Sequence, residues 1–151
     1  MALDIDAIMA VASSHLLELG VFDRVNQHEP KAAPGNGITA AIWVQAVEPV
    51  RTSGLQQTSA KLTFNVRLFT SMLAEPQDSI DPQLVKALDA LMTVYSGDFD
   101  LGGLARNVDL LGAYGVGLGA VAGYITQDNR VYRVYTVTLP LIFNDVWAQV
   151  A

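Results

Sequence analysis

Between Lys61 and Leu68, Leu62, Phe64, Val66 and Leu68 alternate strictly with Lys61, Thr63, Asn65 and Arg67. Side chains of period two lie on opposite faces of a pleated strand, whereas a helix would scatter them around its whole circumference. The segment therefore predicts a half-buried strand of an antiparallel sheet. Two segments carry the opposite signature. In "DIDAIMAVASSHLLELG", Ile5, Ile8, Ala12, Leu16 and Leu19 recur three or four apart between an aspartate and Gly20, which predicts a capped amphipathic helix. In "SIDPQLVKALDALMTVYSG", Leu84, Leu88, Leu91, Met92 and Tyr95 share a face. Asp81 is read there as cap, Pro82 as first turn and Gly97 as terminator.

The remaining elements are strands. "VFDRV" reads as a short one, Ile38–Val50 as a β-branched run ending near Pro49, and "YITQDNRVYRV" as two runs joined by a tight "QDN" turn. Arg133, Tyr135 and Val137 should face one side, and Tyr132, Val134 and Thr136 the other. Helix, strands, helix, strands in that order predicts a single α+β domain over residues 1–151, an antiparallel β-sheet with two α-helices packed on one face.

Composition narrows the function classes. With 51% hydrophobic and 16% charged residues the chain is too apolar for disorder, yet no uncharged apolar run has the roughly 18 residues of a membrane span. The start, "MALDIDAIM", has aspartates where an export signal carries basic residues, so assembly in a cytoplasm is the expectation. Zero cysteines exclude disulfides, thiolate nucleophiles and thiolate metal sites. A net charge of −6 opposes a phosphate-neutralising groove, although acidic walls suit a conduit through which DNA passes without sticking.

Candidate chemistry is thin. Gly117, Gly119 and Ala122 fit a G-x-G-x-x-A spacing, but "AVAGYITQDN" continues as strand where a nucleotide turn needs a helix N-terminus, so these glycines read as structural. Asp98, Asp100, Gly103 and Asp109 occupy four positions of a calcium loop. Gly102 at position five, Asp in place of the bidentate Glu and a following strand favour turn formation instead. Ser13, Ser14 and His15 are helix neighbours that point apart. His28 and Glu29 sit in a proline-flanked loop suited to partner contact, with no second metal ligand nearby. No catalytic constellation, cofactor or metal site is proposed from these residues, and the expectation is a protein that is not an enzyme.

The positive signal is strand length. Thr58–Met72 would span about 50 Å at roughly 3.3 Å per residue, and Arg130–Ile142 is also long. Strands of that length in a small domain are expected to overhang their own sheet and pair with another chain.

The strings "LGVFDRVNQHEP", "APGNG", "AIWVQAVEPV", "SGLQQTSAKLTFNVRLF", "SIDP", "SGDFDLGG", "VDLLGAYG" and "YRVYTVTLPLIFNDVW" run through nearly the whole chain. As a set they resemble the tail terminator proteins of long-tailed bacteriophages of actinobacteria, similar in role to the minor tail protein U family. The resemblance implies a non-enzymatic hexameric ring in the virion. Such a ring caps the head-proximal end of the tail tube, ends its growth and joins it to the head connector, with genomic DNA passing through the channel. Its partners would be itself, the tail tube protein and the connector proteins, with no membrane. Arg67 and Tyr135 are the expected anchors between subunits, and the loops His28–Asn36 and Arg51–Gln57, with His28, Glu29 and Arg51, are expected to order on docking. The alternatives are another tail or neck component, a tube subunit or head closure protein, and a ligand-binding or enzymatic α+β domain.

Overall fold

A computed structural model describes residues 3–22, 24–27, 37–50, 57–71 and 80–148. Helix α1 (Ile5–Leu19) begins where the Asp4 carboxylate accepts a hydrogen bond from the Ala7 amide at 3.1 Å, and it ends at left-handed Gly20, whose N–H donates to Leu17 O. Helix α2 (Ile80–Gly97) starts one residue before Asp81. That aspartate is thus not the cap. It lies inside the first turn, where its Oδ1 accepts from Arg133 Nε at 2.9 Å.

Six strands form one sheet: β1 (Arg24–Asn26), β2 (Thr39–Val50), β3 (Gln57–Ser71), β4 (Asn107–Val108), β5 (Gly119–Gln127) and β6 (Arg130–Ala148). The order is β1-β2-β3-β6, and the far side of β6 is shared by β5 and β4. The sheet is mixed, which corrects the antiparallel expectation: β1 runs parallel to β2, with Arg24 opposite Thr39 and Asn26 opposite Ala41. A parallel return needs about a dozen residues, and the chain has them between Asn26 and Thr39. A two-residue turn at Asp128 and Asn129 cannot do this. Those two residues have φ of 51° and 63°, the sign a type I′ hairpin requires, and they join β5 to β6 antiparallel.

The core lies between the helices and one sheet face. Ile8, Ala12 and Leu16 of α1 and Leu84, Leu91 and Tyr95 of α2 pack in one cluster with Leu62, Phe64, Val66 and Leu68 of β3 and Val137, Leu139 and Leu141 of β6. Both helices therefore cover the same face, as the alternation implied. The opposite face is not bare, however. Ala41, Phe69, Tyr132 and Val134 form a second buried cluster there, and Lys61 and Thr63 are buried as well. β3 is therefore closed in on both faces and is not the half-buried strand that period two suggests.

The overhang expectation fails for β3, while β6 runs past its outer neighbours from Phe143 to Ala148 among the described residues. β3 pairs with β2 from Ser59 to Phe69 and with β6 from Gln57 to Ser71. Its whole length is matched because β6 continues past Ile142 to Ala148. Pro140 lies inside β6, where a proline lacks the ladder donor. It falls where the outer neighbour changes from β5, which pairs as far as Thr138, to β4, which begins at Leu141, and its carbonyl accepts from the Asp109 amide at 2.9 Å.

Candidate functional site

The anchors read from the sequence do not converge. Arg67 lies opposite Thr136, and Tyr135 opposite Leu68, so the two side chains stand on opposite faces of the sheet. Both are held within the chain. Arg67 Nε donates to Thr136 Oγ1 at 3.0 Å and its guanidinium lies 5.2 Å from the Trp43 ring centroid. Tyr135 packs on the core and beneath Arg133, 5.6 Å away. His28, Glu29 and Arg51, with the loop residues 28–36 and 51–56, lie outside the described residues, and Gln57 opens β3.

Free strand edges lie elsewhere. Beyond Ala41 the outer edge of β2 has no strand partner among the described residues, and the same holds for the outer edge of β5. The edge of β2 is guarded: a bulge falls between Val44 and Ala46, and Glu48 and Pro49 follow. Each of these devices hinders another strand from continuing the ladder. The edge of β5 has no such guard from Gly119 to Thr126, "GAVAGYIT". Val121 is 74% exposed and Tyr124 62%.

A braced loop leads into that edge. The Asp109 carboxylate is buried and accepts from the Ala113 amide at 2.7 Å and the Tyr114 amide at 3.0 Å. Leu118 N–H donates to Asp109 O and closes the base of the loop. From the sheet, Lys61 sends its ammonium into the loop, donating to Tyr114 O at 3.1 Å and Val116 O at 3.3 Å with only 3% of the residue exposed. The sequence gives little warning of this, because a lysine at a polar position of an alternating strand reads as solvent-facing. The loop so held presents Leu111, 99% exposed, and Val116, 70% exposed. Gly117, read as structural, is indeed demanded here: a Cβ on it would lie 2.6 Å from Gly112 N and 2.8 Å from Leu110 O. No helix follows, since β5 begins at Gly119.

On the helix side, β5 is clamped by Arg133. Its guanidinium lies 4.6 Å from the Tyr124 ring, its Nη1 donates to Gly123 O at 3.4 Å, and the hydrogen bond to Asp81 holds its pKa above the usual arginine value. One side chain thus ties β5, β6 and the first turn of α2 together.

The histidine and the calcium-like turn meet in space. His15 Nε2 lies 2.8 Å from Asp98 Oδ2 and its ring packs edge-on to Tyr95, whose hydroxyl donates to Ala12 O at 3.0 Å. Asp98 Oδ1 accepts from Gly102 N–H, and this bond, with a further contribution from His15, holds the Asp98 carboxyl below its usual range. Burial pushes the Tyr95 hydroxyl pKa up. Ser14 Oγ is turned back to Val11 O, and Ser13 Oγ accepts from Gln27 Nε2, so neither serine faces the histidine. His15 and Asp98 join α1 to the end of α2. Asp98 and Asp109, the first and last positions of the calcium-like spacing, have their oxygens turned to different partners, and among the described residues no group of three His, Asp or Glu is placed to hold a metal ion.

No protein-family model and no curated protein matches the chain. Among solved structures it is similar to a chain of the virion of a native gene transfer agent particle, at 13% identity and a TM-score of 0.38 over 89% of this chain and 92% of that one. A superposition at that level assigns neither a family nor a role.

Proposed function

We propose that the chain is a structural virion subunit that forms a ring on the head-proximal end of a phage tail tube, ends its growth and offers the joining surface for the head connector. The sequence strings quoted above motivate the role. The observation that carries it is the β5 edge, unguarded and without a strand partner among the described residues, on a sheet whose β2 edge is guarded and so presents a different surface. Unlike surfaces associate head to tail, and head-to-tail contacts yield a ring when their rotation closes. A net charge of −6 suits a channel wall that lets DNA pass. The braced loop, which exposes Leu111 and Val116, suits a docking contact, since a braced backbone loses little entropy on binding.

Electron microscopy of the purified protein, alone and mixed with tail tubes, tests this. Discrete rings and tubes capped at one end are expected. Open-ended stacks would instead identify a tube subunit, and solitary particles that leave tubes growing would remove the proposal.

A further inference from the structure

We infer that the outer edge of β5, Gly119 to Thr126, is the surface through which one copy of the chain takes an extended segment of a second copy. This rests on the ring reading and names the contact that would build it.

An unpaired strand edge offers a row of backbone donors and acceptors that only another extended backbone satisfies in full, so the occupant must be a strand. Charge identifies whose. Two copies of a chain with net charge −6 repel wherever their acidic surfaces meet. From Leu110 to Gln127, however, the chain has no Asp, Glu, Lys, Arg or His, so the β5 edge and the loop before it form a neutral strip. Like-charged copies can meet there without bringing charges together. The cations that reach the strip are already engaged, Arg133 with Asp81 and Gly123 O, and Arg106 with the Tyr114 hydroxyl and Asn144, so the strip offers a nucleic acid or an acidic partner little to hold. Val121 and Tyr124 supply exposed apolar surface on the two faces of the strand. The guards found on β2 are missing from this edge alone of the two, as expected if it is meant to be used.

The test is the double substitution Val121→Lys and Ala122→Lys, which puts a cation on each face of the edge at two exposed positions. Mass photometry over a concentration series should show the wild type as multi-subunit particles and the variant as monomers, or at least a roughly tenfold rise in the concentration needed to associate, with an unchanged melting curve. If the variant melts early, Val121→Cys replaces it as the readout. In a chain without other cysteines, its reaction with a maleimide should be roughly tenfold slower in the assembled fraction than in the monomer. Rings of unchanged mass from a folded variant, or a thiol equally reactive in both fractions, would overturn the inference while leaving ring formation and capping intact. A wild type that stays monomeric yet caps tubes would overturn self-pairing alone. One that stays monomeric and caps nothing would overturn both.

Discussion

The glycine-rich stretch from Gly112 to Gly123 behaves as two regions. In the first half the glycines answer to their own chain. A Cβ on Gly112, whose φ is 82°, would collide with Gly115 O, and one on Gly117 would strike the backbone of Leu110, Leu111 and Gly112. In the second half nothing among the described residues asks for glycine. A Cβ on Gly119 meets no atom within 4 Å, and one on Gly123 makes an ordinary 3.7 Å contact with Val134. One composition therefore serves two ends: a folded-back, braced loop, and a plain strand with its outer edge uncovered by any described strand.

Substitution should separate the halves. The largest effect is expected for Gly117→Ala, where a methyl meets backbone that cannot step aside, with a loss of roughly 2–3 kcal/mol in urea unfolding. Gly119→Ala should by contrast leave stability unchanged or raise it by roughly 0.5 kcal/mol. Equal losses at both positions would erase the distinction. Next comes Asp109→Ala, which strips two loop amides of their buried acceptor and should cost about 2 kcal/mol. Lys61→Met leaves the carbonyls of Tyr114 and Val116 without their shared donor, for about 1–2 kcal/mol. Its sharper readout is hydrogen exchange: the amides of residues 112–117 should speed up while the β5–β6 ladder stays as slow as before.

The smallest effect is remote from both halves. Because the folded protein holds the Asp98 carboxyl below its usual range, chiefly through Gly102 N–H and then through His15, the stability it contributes is present above about pH 4. That contribution is lost as pH falls through the lowered folded value. The stability difference between wild type and Asp98→Asn should therefore be constant near neutral pH and shrink as pH falls below about 4. A difference that did not shrink at all on acidification would mean that the carboxylate charge is not what joins His15 to this turn.

The elements were largely legible in the sequence, and their exposure was not. Periodicity placed both helices and the long strands because core-facing residues recur with the pitch of their own backbone, and "QDN" announced a hairpin because left-handed turn residues are few. The same periodicity misjudged Lys61, because alternation says which face a side chain takes and not what covers that face. Here a loop some fifty residues further along the chain covers it. Arg67 and Tyr135 read as outward anchors for the same reason, whereas a cross-strand partner and a neighbouring arginine hold them within the chain.

By itself, then, the sequence determined both helices, the long strands, the helix-bearing face and the strictly local turns, since those depend on contacts a few residues apart. Only the tertiary structure decided which strands lie side by side, that β1 joins in parallel, that β6 is long enough to pair with β3 over its whole length, and that no described strand covers the outer edge of β5. Hydrogen bonds between strands are made by backbone groups that every residue shares, so which strand each edge meets is written in the packing of the whole sheet and not in the side chains of any one strand.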